Sequence, residues 1–324
     1  MHRNFFFIVS SLCLLALSSC TEPIEFTGDE TDPIPVMQAT AEQDSLFTAR
    51  LTWSRFFLQD GYTFPTINNA NVQLQVNGVA KPLLNSNGGK YNFSYLPRFG
   101  DTLLLTAQIP NYERGKLSAQ TVVPYEPQVV LESWSVDSSQ SSLYNRDYAV
   151  NIKIRLNDPG EKDNYYAIKL LYSKKSTDPS DNNKLYTSQF RLNDPLIAGT
   201  TSSIDIILNE GDNEQSFQEL YFSDQKINGK SHTITLKADF HSYTTTSTTD
   251  TGSTTTYWND TPDVLQLEVS SLSPEEFRYL QSSTAAREND NNFFGEPVQV
   301  ICNVKNGVGH LGAIVRKKIR MQFD

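Results

Sequence analysis

The 324-residue sequence has few cysteines and few histidines, and these shortages exclude two classes of site. Its three cysteines cannot supply the dense disulfide framework that is typical of small exported domains. None of its four histidines stands in a metal-ligand spacing such as His-Glu-x-x-His or in a Cys/His cluster. We therefore expect neither a disulfide-stapled fold nor a zinc site, and these residues predict no cofactor.

The motifs of common enzymes and an excess of basic residues are also missing. There is no Gly-x-Ser-x-Gly nucleophile motif, no phosphate-binding loop, and no Gly-x-Gly-x-x-Gly segment where a strand passes into a helix. The 27 Lys and Arg against 37 Asp and Glu give a net charge of -10, which disfavours nucleic acid as a partner. We expect a protein that is not an enzyme, with a hydrolase site assembled only in three dimensions as the alternative.

The N-terminal segment has the composition of an export signal. His2 and Arg3 precede a short apolar run, which predicts a secretory signal peptide over residues 1–19. The run ends in Leu17-Ser18-Ser19-Cys20, which resembles the bacterial lipobox, and by that resemblance Cys20 becomes the diacylated first residue of the mature chain. An ordinary signal peptide followed by an incidental cysteine is the alternative.

An acidic tether is predicted over residues 20–35, between the lipid and the folded body. No later stretch approaches the ~20 apolar residues of a membrane helix, so we expect the lipid to be the only anchor. Glu22 and Glu25 resemble the acidic stretch that sends some Bacteroidota lipoproteins to the cell surface. A solvated linker that lets the body stand off the membrane explains the same residues.

The remaining thiol and histidines are expected to have structural roles. Cys302 stands in an alternating run from Pro297 to Asn303, so we expect a small buried hydrophobic side chain. The three histidines that follow the signal peptide are expected to be surface or partly packed strand residues; they are His232, His241 and His310.

Period-two alternation of apolar residues predicts an all-β protein. In the first block, strands are expected at 45–53, 71–76 and 101–109, with tight turns at Asn77-Gly78 and Asn87-Gly88-Gly89. Short antiparallel strands separated by such turns predict an immunoglobulin-like β-sandwich over residues 36–125.

A larger antiparallel β-domain is predicted over residues 126–324. Asn228-Gly229 is interpreted as another hairpin turn, and Ser273 as the N-cap of one short helix whose capping box is completed by Glu276. The lack of alternating strands and helices disfavours a parallel α/β fold. The predicted strands are 148–156, 165–172, 203–208, 219–222, 233–240, 264–269 and 313–323.

Residues 244–256 are rich in threonine and predict a long hairpin arm that turns at Asp250-Thr251-Gly252. The arm is flanked by Tyr243, Tyr257 and Trp258, which are candidate binding residues. A flexible or glycosylated loop is the alternative.

The loop from Asn157 to Asn164 concentrates oxygen ligands in a turn, as a calcium site requires. Its candidate ligands are Asp158, Glu161 and Asp163, although the spacing is not that of an EF-hand. Turn chemistry explains the same composition.

Two triplets resemble the Asp-Ser/Thr-apolar pattern of O-glycosylation in exported Bacteroidota proteins. They are Asp44-Ser45-Leu46 and Asp101-Thr102-Leu103, so Ser45 and Thr102 are candidate glycosylation sites.

Several motifs together resemble a family of Bacteroidota lipoproteins known as domain of unknown function 4249. They are Asn157-Asp158-Pro159-Gly160 with Asn164-Tyr165-Tyr166, Tyr221-Phe222-Ser223-Asp224, Asn228-Gly229-Lys230, Phe277-Arg278-Tyr279-Leu280, and the stretch from Glu296 to Ala313. The last motif departs mildly from the family pattern at Asn306-Gly307 and His310-Leu311. Among the shared residues Asp158 and Asp224 are notable, because a buried carboxylate must be paired or ligated.

The resemblance implies a location and a set of partners more than a chemistry. Members are outer-membrane lipoproteins, often encoded near TonB-dependent transporters, without an established enzymatic activity. We therefore expect an accessory or ligand-capture subunit of a TonB-dependent uptake system. A free-standing surface module that binds glycan or protein is the alternative.

Overall fold

The computed structural model describes residues 31–56, 63–140, 142, 145–174, 184–194, 215–248, 254–259, 261–289 and 298–323. The predicted signal peptide, Cys20, most of the tether and the predicted strand at 203–208 lie outside these residues. The described residues form nineteen β-strands and one α-helix, which confirms the all-β prediction.

Ten strands make up the first half of the chain. They are β1 (Pro35–Glu42), β2 (Thr48–Trp53), β3 (Asn71–Val76), β4 (Val79–Lys81), β5 (Leu83–Asn87), β6 (Lys90–Phe93), β7 (Thr102–Gln108), β8 (Leu117–Val122), β9 (Val129–Gln140) and β10 (Asn145–Asn157).

The second half contains nine strands and the helix. They are β11 (Tyr165–Lys174), β12 (Tyr186–Ser188), β13 (Phe190–Leu192), β14 (Gln215–Phe217), β15 (Glu219–Ser223), β16 (Ser231–Thr248), β17 (Thr254–Asn259), β18 (Pro262–Leu272), α1 (Pro274–Asn289) and β19 (Val308–Gln322).

One nine-stranded sheet runs through both halves of the protein. Its strand order is β12-β11-β18-β19-β1-β2-β6-β5, and β15 also pairs with β11. Within it, β1 and β19 pair in parallel, with Val36 opposite Val308 and Glu42 opposite Ile314. This parallel pair is an exception within the predicted antiparallel architecture, because the first and last described strands meet side by side in the same direction.

The N-terminal sandwich packs this sheet against a second sheet of order β4-β3-β7-β8. Alternate residues of β1, such as Met37, Ala39 and Ala41, point into the core between the two sheets. β19 completes the same core with Leu311, Ala313 and Val315. The core of the N-terminal sandwich therefore includes residues of β19, which lie far outside the predicted range 36–125.

The C-terminal sandwich packs the other end of the nine-stranded sheet against a sheet of order β14-β13-β16-β10-β9. β10 and β16 pair over thirteen positions, from Asn145 opposite Tyr243 to Asn157 opposite Ser231. β19 contributes again, because Met321 and the following Phe323 belong to this core. β19 thus contributes side chains to both hydrophobic cores.

The helix α1 covers part of the opposite face of the nine-stranded sheet. Phe277 packs with Ala167, Leu272 and Ile314 in a small third cluster. The predicted N-cap is confirmed, since the Ser273 hydroxyl accepts a bond from the Glu276 backbone N–H at 3.3 Å.

The predicted capping box at this helix is wrong. The backbone N–H of Ser273 donates to the Ala313 carbonyl at 2.9 Å and does not meet the carboxylate of Glu276. That carboxylate accepts instead from the Thr40 hydroxyl at 3.2 Å. The Glu276 carboxylate thus bonds to Thr40 on β1 and not to the backbone N–H of Ser273.

Two of the predicted turns are confirmed and one is wrong. Asn77 and Gly78 have φ of 50° and 79° and connect β3 to its antiparallel partner β4. Gly88 and Gly89 likewise connect β5 to β6. Asn228-Gly229 forms a turn but no hairpin, because β15 pairs with β11 and β16 pairs with β10 in different sheets.

Cys302 is exposed, so the prediction of a buried thiol is wrong. Its segment forms no strand over residues 298–304. The Ile301 backbone N–H donates to the Ser282 hydroxyl on α1 at 2.9 Å, and Ser118 forms an isolated bridge with Lys305. The apolar alternation is misleading because the segment pairs with no strand over these residues, and its contacts with β8 and β19 are made by the Asn303 side chain.

Three closely spaced glycines let β19 approach its neighbours. A Cβ at Gly307 would lie 2.6 Å from Leu117, one at Gly309 would meet the Met37 carbonyl, and one at Gly312 would meet the Glu276 carboxylate. These glycines therefore serve close packing against β1, β8 and α1. Within the described part of the chain, no helix has the length and apolarity that a membrane crossing requires.

Candidate functional site

A cleft of about 620 Å³ lies between the two sandwiches. Three segments form its walls: the end of β8 with the linker that follows it (residues 120–128), the loop 159–166 before and within β11, and residues 271–275 where β18 passes into α1. The volume falls within the roughly 300–1,000 Å³ of small-molecule sites. This cleft is therefore the candidate functional site.

The linker wall presents an aromatic ring to solvent. Pro124 and Pro127 lack backbone N–H groups, so this segment cannot extend the ladder of β8. Between them, Tyr125 leaves 73% of its surface exposed, with its ring 6.5 Å from that of Phe99. The sequence places the boundary between the two predicted domains in this segment, and a tyrosine between two prolines was the signal available.

The loop wall is held by the buried carboxylate of Asp158. Its Oδ2 accepts from the backbone N–H of Gly160 at 3.1 Å and of Gly229 at 2.8 Å. Its Oδ1 accepts from the Tyr166 hydroxyl at 2.7 Å and from the Asn164 amide at 3.2 Å. Four donors satisfy this carboxylate and fix the loop to the turn at Gly229.

Tyr166 acts only as a hydrogen-bond donor in this network. Burial, followed by the hydrogen bond to Asp158, raises the pKa of the Tyr166 hydroxyl well above its usual value. The hydroxyl therefore keeps its proton, and the Asp158 carboxylate keeps this donor.

A second buried carboxylate, Asp224, meets the same loop. Its Oδ2 accepts from the Asn164 backbone N–H at 2.9 Å and from the Asn164 side chain at 3.2 Å. Its Oδ1 is buried and has no hydrogen-bond partner among the described residues. Burial, only partly offset by the bonds from Asn164, raises the pKa of Asp224. Asn164 thus bridges the two aspartates that sequence analysis had singled out.

The two aspartate loops also touch through glycines. Gly160 and Gly229 have φ of 72° and 69°. A Cβ at Gly160 would lie 2.5 Å from the Gly229 Cα, so only glycine allows this contact. The wall of the cleft is built on this close approach.

The third wall joins the two sandwiches through a side-chain bond. Glu275, in the first turn of α1, accepts from the Thr121 hydroxyl at the end of β8 at 2.8 Å. Tyr165 stacks on Phe277, with ring centroids 4.6 Å apart. Glu275 lies in the acidic first turn, where it complements the helix dipole, and it also makes this contact across the cleft.

A separate polar cluster lies beneath α1. The Thr40 hydroxyl lies 3.2 Å from both Glu276 Oε2 and His310 Nε2, and the ring of Tyr279 stacks on His310 with centroids 3.6 Å apart. His310 is buried, so its prediction as a surface or partly packed residue is wrong. Its Nδ1 has no partner in the described structure. The cluster connects β1, β19 and α1.

The other two histidines pair with aspartates outside the cleft. His232 Nε2 lies 2.6 Å from Asp194 Oδ2, and this pair is largely covered. His241 Nδ1 lies 2.7 Å from Asp147 Oδ1, with its side chain mostly in solvent. Both belong to β16, as predicted strand residues.

The threonine-rich arm is confirmed as a hairpin, since β17 pairs with the end of β16 from Tyr243–Asn259 to Thr248–Thr254. Its turn lies outside the described residues. Tyr243 is 46% exposed, and Tyr257 and Trp258 lie opposite Thr245 and Thr244 on the neighbouring strand. The three candidate binding residues therefore share one two-stranded arm, remote from the three segments of the cleft.

The candidate calcium ligands divide into two sets. Asp158 and Asp224 are buried around Asn164, whereas Glu161 and Asp163 are exposed at the cleft. Across the described ranges, no group of three or more His, Cys, Asp or Glu residues is placed to hold a metal ion.

The two candidate glycosylation residues differ in accessibility. Ser45 is exposed in the turn after β1. Thr102 is half-buried at the start of β7, where its backbone N–H donates to the Asn77 side chain at 2.9 Å.

Comparison with known proteins identifies a family and a distant structural likeness. The family model described as "Domain of unknown function (DUF4249)" matches residues 21–320, which confirms the predicted family. No curated protein matches the chain. A solved structure titled "Chaperone-tip adhesin complex is vital for synergistic activation of CFA/I fimbriae biogenesis" shows 12% identity and a TM-score of 0.23, over 74% of this chain and 78% of that chain. A likeness at this level carries no inference.

Proposed function

Because this chain belongs to the DUF4249 family, we propose that it is a lipid-anchored outer-membrane protein that captures a ligand for a TonB-dependent uptake system. The observation that supports ligand capture is the cleft of about 620 Å³ between the sandwiches. Its part in the system is that of a non-enzymatic accessory subunit.

The construction of the cleft supports a preformed binding site. Asp158 and Asn164 fix one wall through side-chain bonds, and Ser273 caps the helix that forms another. Walls held in this way need little reordering when a ligand enters, which favours affinity.

Two hydroxyl groups that line the cleft, those of Thr121 and Ser273, have structural partners. Thr121 donates to Glu275, and Ser273 accepts from the backbone N–H groups of Glu276 and Ala313. Such engaged hydroxyls favour binding over nucleophilic chemistry.

The proposed anchor places the body at a distance from the membrane. The first described strand is β1, and Ile34 just before it is held by two bonds with Ser54 at 2.7 and 2.8 Å. Residues 21–34 before it reach roughly 50 Å when fully extended. A tether of this length lets the cleft approach a neighbouring transporter while Cys20 stays in the lipid.

The proposal is tested by extracting the tagged full-length protein from its native outer membrane in mild detergent. We expect a TonB-dependent transporter to co-purify in stoichiometric amount. A Cys20→Ala variant is the matched control, and we expect it to leave the membrane fraction and lose the transporter. A lipidated protein that purifies alone would contradict the proposal.

A free-standing surface module that binds glycan or protein is the second candidate, and the hairpin arm favours it. β16 and β17 continue together from Tyr243 opposite Asn259 to Thr248 opposite Thr254. If the arm is the contact surface, deleting residues 244–256 abolishes binding of the protein to glycan and protein arrays. Binding that survives this deletion would remove the support for the arm.

A further inference from the structure

We propose that the cleft selects an organic cation that carries an apolar body. This inference rests on the proposed function of the cleft as a ligand site and adds the chemical class of its ligand. It is carried by the charges, the aromatic surface and the helix start that the three walls bring together.

The charged residues of the walls give the cleft a net negative charge. Four carboxylates line the cleft, and Lys162 is the one cation among the described lining residues; the carboxylates are Glu126, Glu161, Asp163 and Glu275. The whole chain has 37 acidic and 27 basic residues, so a chance sample of five would hold about three acids and two bases. A concave site with low-dielectric walls concentrates the field of such charges. The cleft therefore attracts positive ligands.

The start of α1 opposes this field, and Glu275 outweighs it. A helix N-terminus carries roughly half a positive charge. Glu275 places a full negative charge in the first turn, and Thr121 holds that carboxylate by the bond of 2.8 Å. The helix end that would otherwise attract an anion is thus neutralised and made acidic.

The apolar surface of the cleft would contact the apolar body of the ligand. The exposed ring of Tyr125 stands at one wall and the half-buried ring of Tyr165 at another, with Val122 exposed beside the linker. Tyrosine faces attract organic cations through their π electrons. A neutral ligand would gain contact with these surfaces but nothing from the carboxylates, and an anion would be repelled.

The test is isothermal titration of the full-length protein in detergent with three probes of similar size. They are benzylammonium, benzyl alcohol and benzoate, which share a ring and differ in charge. We expect the cation to bind at least tenfold more tightly than the alcohol, benzoate to bind most weakly, and the cation to lose affinity as salt rises. Equal affinities for the cation and the alcohol would overturn the inference.

Charge-removing variants locate the effect in the cleft. Glu275→Gln keeps an acceptor for Thr121, and Glu161→Gln with Asp163→Asn changes only exposed positions, so both variants are expected to fold. Each variant should lower the affinity for the cation about fivefold and leave the affinity for benzyl alcohol unchanged. Glu113→Gln, an exposed glutamate outside the cleft walls, is the control and should have no effect. Cation affinity that is the same in all three variants would overturn the inference.

The two proposals fail separately. Co-purification of a transporter together with equal binding of cation and alcohol would remove the ligand class and keep the uptake function. Selective binding of the cation by a protein that purifies alone would keep the ligand class and remove the uptake function.

Discussion

At the scale of single residues, the two buried aspartates behind the cleft are satisfied to different degrees. Asp158 receives four hydrogen bonds, shared between both oxygens. Asp224 receives its side-chain bonds on Oδ2, and its buried Oδ1 has no partner in the described structure. An unsatisfied buried acceptor costs about 1–3 kcal/mol, more when it is charged. Asp224 therefore holds the loop through its bonds from Asn164, but its ionised form lowers the stability of the folded protein.

The poorly satisfied Asp224 carboxylate predicts that the effect of Asp224→Asn on stability depends on pH. The pKa of Asp224 is raised in the folded state, so the folded protein binds the proton more tightly than the unfolded chain does. The free energy of unfolding must then fall as the pH rises from about the ordinary value of 3.8 to the raised pKa. Asparagine cannot titrate and keeps one oxygen for the bonds from Asn164. Relative to wild type, we expect the variant to gain about 1 kcal/mol more at pH 7.5 than at pH 4.

Urea unfolding at the two pH values measures this difference. Asp137→Asn, which removes an exposed aspartate on β9, is the control and should show no such dependence. An Asp224 variant whose stability differs from wild type by the same amount at both pH values would contradict the prediction.

Part of the candidate site could be predicted at this scale. Asp158 and Asp224 stand in turn motifs with glycine and asparagine, so a structural role for their carboxylates was visible in the sequence. Tyr125 and Glu275 were not predicted, because they come together only when the linker and the start of α1 meet across the cleft. Sequence patterns report local geometry, and the cleft is made of segments distant in the chain.

At the scale of elements, the Ser273 hydroxyl both caps α1 and bonds α1 to β19. The Ser273 Oγ accepts from the Glu276 N–H at 3.3 Å and from the Ala313 N–H of β19 at 3.1 Å. Ser273→Ala removes the acceptor of both bonds at a buried position, so we expect a loss of about 2 kcal/mol in the free energy of unfolding.

Chemical denaturation checks this value. Ser283→Ala is the matched control, because the Ser283 hydroxyl donates only to Leu280 within the same helix at 3.0 Å. We expect the control to change stability by less than about 0.5 kcal/mol. A Ser273 variant as stable as the control would show that neither bond contributes.

Elements were predictable where their signals are local. Asn77-Gly78 closes a hairpin because the residues on either side pair with each other, and Ser273 caps a helix that begins at the next residue. Asn228-Gly229 has the same turn composition, yet its flanking strands find partners in different sheets. A turn motif fixes the direction of the chain, whereas the choice of partner strand depends on the whole fold.

At the scale of the whole molecule, β19 makes the two sandwiches interdependent. Its Leu311 lies in the core of the N-terminal sandwich, and its Met321 lies in the core of the C-terminal one. We expect Leu311→Ala and Met321→Ala each to lower the stability of the entire protein by about 2–5 kcal/mol. Both variants should show a single unfolding transition.

Differential scanning calorimetry distinguishes one transition from two. Ile301→Ala removes an exposed isoleucine beside α1 and is the control, with little change expected. A Leu311 variant that splits the transition, with one half unchanged, would show that the sandwiches unfold independently.

The parallel pairing of β1 with β19 also sets the order in which the protein can fold. During synthesis β1 is made first and its neighbour on this side is made last. Contacts between such distant segments form slowly, because a long loop must close first. The N-terminal sandwich therefore stays open along one strand until β19 has been made. We expect that delay to keep the newly made chain loose enough for the proposed export across a membrane.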